Sequence, residues 1–403
     1  MRNWQNVKLG DICELIAGFA FKSKDFGDFT DKVIKITNIE PPFVNMTNLA
    51  GIDLSQYNKS KLEKFEAKRG DYVLAMTGAT IGKLGRVCSG KAYINQRVLM
   101  FKSQKEIDKN FLYYVLSSYE FSQYILNHID SESAQANISA TTIGKYVFLM
   151  PPLEIQRKIA GILSSIDNKI ELNQQQNNNL EQQAQALFKS WFVDFEPFGG
   201  KMPEDWKVGK LGDIADVIMG QSPSGNSYNE KGIGCIFFQG RAEFGFRFPT
   251  IKLFTTEPKR IAKQNDILMS VRAPVGDFNV AYDDCCIGRG LCAIRSKDNF
   301  QSFILYTLWS VQNKLDVFNG EGTVFGSINK DSLNNLEIIV PDTRTIQKFE
   351  NLCSPMDNLI RKNYEENTRL AQLRDTLLPK LMSGEIDVSK VNISADKLSF
   401  SEE

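Results

Sequence analysis

The chain holds 403 residues, 42% apolar and 24% charged. At about 150 residues per domain that gives two or three domains, and it excludes wholesale disorder, a collagen-like repeat and a disulfide scaffold. Lys plus Arg equals Asp plus Glu, 48 against 48, so no global field draws the protein onto nucleic acid and any basic partner surface must be local.

Met1 to Gln5 begin no apolar run, so no signal peptide is expected. No stretch approaches the roughly 18 apolar residues of a membrane span. From Trp4 the chain reads Trp-Gln-Asn-Val-Lys-Leu-Gly-Asp-Ile, with Gly18 following. Short β-like runs, Asp71 to Met76 and Tyr146 to Met150, then alternate with Gly-rich turns. The loop Thr77 to Gly82 either lets a ligand approach the backbone or makes a tight turn. Asn110 to Leu126 carries apolar residues at 111, 112, 115, 116 and 119, which predicts a helix.

After Pro151-Pro152 a helical period runs to about Phe192, through Ile155, Ile159, Ile162, Ile166, Ile170, Asn173, Asn177 and Leu180. The chain then starts again. Trp206 to Ile214 matches Trp4 to Ile12 at an offset of 202, without a gap, and Gly220 matches Gly18. Asp266 to Met269 matches Asp71 to Leu74, Phe303 to Leu308 matches Phe111 to Leu116, and Ile328 and Pro341 match Ile138 and Pro151. A second helical tail follows, with Ile346, Phe349, Cys353, Met356, Ile360, Asn363, Asn367 and Leu370 on one seam. Pro355 either kinks it or delays its start.

Such a duplication predicts an α+β protein: two similar mixed α/β lobes separated by two long antiparallel coiled-coil helices, a pseudo-twofold dumbbell. Each seam is about 60 Å long at 1.5 Å per residue. Asn173 and Asn177 correspond to Asn363 and Asn367. They either fix helix–helix register through one polar layer or lie on a solvated face of the Gln/Asn-rich stretch. Two similar readers at a fixed distance suit DNA, whose major groove returns every ~34 Å.

Lys61 to Lys105 holds ten basic residues against three acidic, and Arg241 to Arg295 nine against six. Phe237, Phe238, Phe244, Phe246 and Phe248 lie among Gln239, Arg241 and Arg247. Arg can bridge guanine O6 and N7, and Gln or Asn can bridge adenine N6 and N7. The same residues also make an ordinary solvated face.

Catalytic signatures fail. The one histidine, His128, removes Ser-His-Asp and Cys-His triads unless it serves, and leaves no histidine-built metal site. Seven scattered cysteines without a CxxC read as reduced thiols. Glu40-Pro41-Pro42-Phe43 begins with the wrong residue for an amino-methyltransferase motif. Gly78 to Leu84 is one residue short of a phosphate loop. Gly320 to Gly326 has the wrong spacing for a dinucleotide fingerprint, and Asp283-Asp284 has no third partner.

Taken in order, these segments resemble the specificity subunit (HsdS) of type I restriction-modification systems. The resemblance rests on the duplicated Trp-x(4)-Leu-Gly-Asp-Ile openings, on Gly18 to Lys24 and Gly220 to Ser224, and on the helix starts at Pro151 to Gln156 and Pro341 to Gln347. The junction Trp191 to Pro197 and the ending Leu378 to Ile386 add to it. It implies a target-recognition domain over 1–150, a central helix over 151–195, a second target-recognition domain over 196–340, a C-terminal helix over 341–390 and a flexible tail over 391–403.

Each domain would read one half of a bipartite asymmetric DNA site. The helices would set the spacer and dock two methyltransferase subunits. S-adenosylmethionine would sit on those partners, ATP and magnesium on restriction or motor subunits. This cytoplasmic chain would carry no cofactor, no metal and no catalytic residue. DNA contacts carried onto the first lobe are Lys22, Ser23, Lys24, Thr77, Thr80, Lys83, Gln96 and Arg97. Those of the second are Gln221, Ser222, Ser224, Gln239, Arg241, Arg272 and Arg289. Rival readings are the specificity subunit of a type IIB-like system with a fused nuclease-methyltransferase, and a protein-binding scaffold.

Overall fold

A computed structural model describes residues 4–130, 136–320 and 326–391. Residues 1–3, part of the Gly320 to Gly326 run and the tail from 392 lie outside the described residues. The chain divides into two units, one of residues 1–172 with 366–403, the other of residues 173–365. The division falls inside both long helices.

In unit one the strand Cys13–Ala17 pairs antiparallel with Val98–Ser103, which pairs antiparallel with Tyr72–Ala75. Leu84–Arg86, Phe43–Val44 and Ile39–Glu40 extend this sheet to six strands. A second sheet orders Ala50–Ile52, Phe26–Ile34, Lys91–Ile94 and Glu66–Lys68. Successive strand side chains point to opposite faces, and here both faces are covered. Tyr72, Leu74, Leu99 and Phe101 pack with Phe111, Leu112, Ile159 and Leu163 of the helical layer. Val73, Ala75, Val98 and Met100 pack with Ile34, Ile39, Ala92 and Ile94 on the other side. That is why Tyr72 to Ala75 reads as a continuous apolar run rather than an alternating one.

Unit two repeats the plan. Ala215–Met219, Leu291–Ser296, Ile267–Ser270 and Phe278–Val280 form one sheet. Tyr228–Asn229, Phe254–Thr255, Cys235–Phe238, Cys285–Ile287 and Ile261–Ala262 form the other. Each unit has a parallel pairing at the corresponding place, Tyr93 beside Val33 and Ile236 beside Cys285. Each also closes its opening strand on its last one, Gln5 opposite Met150 and Lys207 opposite Val340.

The helix expected over Asn110 to Leu126 is two helices, Lys109–Leu116 and Tyr119–Asn127. Ser118 divides them by capping the second, its Oγ accepting from the Phe121 N–H at 3.2 Å.

The long helices are Leu153–Phe192 and Thr343–Met382, 40 residues each. Within unit two, Asn363 donates to Asn177 at 2.8 Å and Phe188 meets Phe349 edge-on. Within unit one, Arg374 pairs with Asp167 at 2.9 Å, and Leu381 shares a core with Ile159. In both units one helix ascends as the other descends, so the pairing is antiparallel. The second helix neither starts late nor stops at Pro355. The carbonyl that proline leaves without its helical donor belongs to Asn351, an exposed residue.

Candidate nucleic-acid interface

In unit one a glycine pins the first loop. Gly18 N–H donates to Val98 O and Phe19 N–H to Ile94 O, both at 2.9 Å. A Cβ on Gly18 would stand 2.1 Å from the Asn95 carbonyl oxygen, so only glycine allows this approach. The chain then runs into Lys22, Ser23 and Lys24, all exposed, around the 3-10 turn Ser23–Asp25. The Tyr57 hydroxyl accepts from the Lys22 N–H at 3.2 Å and donates to Asp25. Partial burial, then the Asp25 carboxylate, raises the Tyr57 pKa and keeps that proton in place.

The Asn95 turn presents Gln96 and Arg97 to solvent. Beside it, Met76 N–H donates to Arg97 O at 2.9 Å, and Thr77 bridges Asn137. Arg97 reaches the Asn137 side chain at 3.4 Å. Thr77 is buried, with its hydroxyl donating to Ala136 O at 2.9 Å. Thr80 donates to Thr77 O at 3.2 Å. Both threonine protons therefore serve the loop itself, whereas Lys83 projects freely into solvent.

Unit two builds the same frame with other side chains. Gly220 N–H donates to Leu291 O and Gln221 N–H to Ile287 O, both at 2.9 Å. A Cβ on Gly220 would meet the Gly288 oxygen at 2.1 Å. Val271 N–H donates to Gly290 O, and Arg272 bridges Ser327 as Thr77 bridges Asn137. Ser222, Gln239 and Arg289 come together: Ser222 Oγ accepts from Gln239 Nε2 at 3.1 Å and from the Arg289 N–H at 3.2 Å. The side chains of Gln221, Ser224, Gln239, Arg272 and Arg289 are exposed. Arg241 is exposed too, but it is ion-paired with Asp277.

Sequence reasoning missed Asn137, Ser327 and Asp277. The first two were within reach, since they precede the matched pair Ile138 and Ile328. Asp277 has no such signal, because only folding brings it to Arg241.

Other chemistry-bearing residues are held by local contacts or burial. Asp284 is held below the usual carboxylate range by hydrogen bonds from Lys263 and the Gln264 N–H. His128 stacks on Tyr124, with Nδ1 2.8 Å from the Tyr124 carbonyl. Burial pushes the Cys13, Cys292 and Cys353 thiols up to about 12. Among the described residues no helix is long and apolar enough to cross a membrane.

A family described as the type I restriction modification DNA specificity domain matches twice, over residues 1–182 and 203–374. A Methanocaldococcus jannaschii protein, provisionally named the type I restriction enzyme MjaX specificity subunit, is 30% identical across 96% of this chain and 94% of its own length. The HindI specificity subunit of Haemophilus influenzae is 25% identical over 68% of this chain and 77% of its own. The crystal structure of a type I restriction-modification S subunit from M. genitalium shares the fold, with a TM-score of 0.59, 16% identity, and coverage of 94% of this chain and 96% of that one.

Proposed function

Since the chain belongs to the type I restriction-modification DNA specificity family, we propose that it is the DNA-recognition subunit of such a complex, each α/β unit reading one half of a bipartite, asymmetric site. The observation that carries this reading is a loop frame built twice with different outward groups. Gly18 and Gly220 are pinned alike, and so are the bridges of Thr77 to Asn137 and Arg272 to Ser327. Yet Thr77 stands where the second unit has Arg272, and Gln96 where it has Arg289. One scaffold with two sets of donors and acceptors suits two different half-sites.

Exposed Arg and Gln side chains on these loops take base edges, where bidentate pairs discriminate. Lys22, Ser23, Lys24 and Lys83 take phosphates, which position the duplex without reading it. A chain of zero net charge gains little from the duplex field alone. Methyltransferase subunits docked on the long helices would therefore close around the DNA and share the phosphate contacts. The methyl transfer, with its S-adenosylmethionine, belongs to them, and ATP-driven cleavage to further subunits.

Mapping N6-methyladenine across the genome of a host that expresses this chain with its methyltransferase tests the proposal. A bipartite motif is expected, and replacing residues 206–340 by those of a relative should change one half only. Methylation independent of this chain, or a motif altered in both halves, would refute it.

A further inference from the structure

Arg247 is the exception among the arginines of the second recognition region. It follows Gln239 and Arg241 on the connection leaving the strand Cys235–Phe238, yet its side chain is only 4% exposed. One guanidinium nitrogen donates to Asp357 Oδ1 at 2.7 Å, the other to Glu181 Oε2 at 3.2 Å. Glu181 stands on the first long helix and Asp357 on the second. Tyr306 adds its hydroxyl to Asp357 at 2.9 Å, and the Trp309 ring lies 5.2 Å from the guanidinium carbon. The Arg247 carbonyl accepts from the Val280 N–H at 2.8 Å, and Gly245 exchanges two hydrogen bonds with Asn279. The connection is thus sewn to the sheet on one side and to both helices on the other.

Stability alone is a poor reason for this arrangement. Charges taken out of water are compensated incompletely even when paired, and apolar packing would hold the segment at least as firmly. A planar fork between two carboxylates on two different helices supplies something that packing does not, a single orientation. Unit one has a counterpart, Arg86 at the end of the strand Leu84–Arg86, 3.2 Å from Glu171 of the first long helix.

We propose that Arg247 is a positioning residue for DNA recognition: it fastens the segment bearing Gln239 and Arg241 at one place along the helix pair, and so fixes the number of base pairs between the two half-sites. This rests on the DNA-reading function proposed above. Base pairs rise about 3.4 Å along the duplex, so a slip of that size moves the second unit's contacts by one step without changing which groups it presents.

The test is the same methylation map with Arg247→Lys, which keeps the charge but replaces the planar two-nitrogen fork with a single ammonium, and with Arg247→Met. Both are made in the full chain with its methyltransferase, and folding is checked by thermal melting. Wild type should give one spacing. The variants should add sites whose halves are one base pair closer or farther apart, with both half-site sequences unchanged. One unaltered spacing in the variants, with methylation merely weaker or lost, overturns the proposal. If Arg247→Met does not fold, Arg247→Lys alone decides. Should wild type give no bipartite motif, it is the DNA-reading function that fails.

Discussion

The amide pair Asn177–Asn363 offers a quantitative test of how the helices recognise each other in unit two. Both residues are buried, at 5% and 6% exposure. Asn363 Nδ2 donates to Asn177 Oδ1 at 2.8 Å and also lies 3.1 Å from Gln176 Oε1. Asn363→Leu strips the Asn177 oxygen of that donor, which costs about 1–3 kcal/mol. Asn177→Leu should cost less, because Asn363 keeps Gln176 as an acceptor. Replacing both removes donor and acceptor together and should be nearly neutral or stabilising. With a urea slope of about 2 kcal/mol/M, Asn363→Leu should lower the midpoint by about 0.5–1.5 M. Three of the four tryptophans, Trp191, Trp206 and Trp309, lie in unit two, so fluorescence reports mainly on it. If the double variant instead shows the sum of the single losses, the two amides share no hydrogen bond and the reasoning is wrong.

Three further outcomes are expected. Arg272→Ala should lose about 1–3 kcal/mol of DNA affinity and relax one base of the second half-site, measured by binding to single-base variants; uniform weakening across all sequences would make it a phosphate contact. Asp342 accepts from Thr345 N–H at 3.0 Å, Thr345 Oγ1 at 2.6 Å and Trp206 Nε1 at 3.2 Å. The Thr345 hydroxyl bond leads in lowering its pKa. Its contribution is therefore complete above the unfolded-chain value of about 3.9 and disappears as pH falls through the lower folded value. Asp342→Ala should cost about 0.5–2 kcal/mol at neutral pH and flatten acid unfolding followed by tryptophan fluorescence. Finally, a thiol reagent should modify Cys88 and Cys235 in the native protein and reach Cys13, Cys285, Cys286, Cys292 and Cys353 only on unfolding.

The duplication was legible because it is linear in sequence. The strand at Tyr72–Ala75 and the helix ending at Phe192 were legible because their apolar periods are strong. The break at Ser117-Ser118 was not, since apolar spacing continues across it and only the Ser118 cap reveals the stop. Of the two expectations at Pro355, the delayed start does not hold, since the helix begins at Thr343 and runs through the proline. In the loops, residue types were informative and their orientations were not. Thr77 turns inward to a carbonyl 59 positions away. Arg247, one basic residue in an aromatic-rich stretch, is buried against carboxylates more than sixty residues distant on both sides of it. Nothing local in the sequence distinguishes it from the exposed Arg241.

The helix at Lys109–Leu116 is capped by its own Asp108, whose Oδ1 accepts from the N–H groups of Asn110 and Phe111 at 3.0 Å. The matching helix, Gln301–Ser310, has no such residue at its start. Its Ser302 and Phe303 N–H groups donate to Glu350, on the second long helix, at 3.2 and 3.0 Å. The two halves of this chain are thus unequal as interchangeable cassettes. The first carries its own capping carboxylate, to which Gln156 of the long helix adds only a bond from the Asp108 N–H, but a second half spliced at residue 340 arrives dependent on a carboxylate supplied by whatever recipient it joins. Chimeras that carry this second half into another chain should therefore place that junction beyond Glu350, whereas a swap of residues 206–340 within this chain keeps the carboxylate.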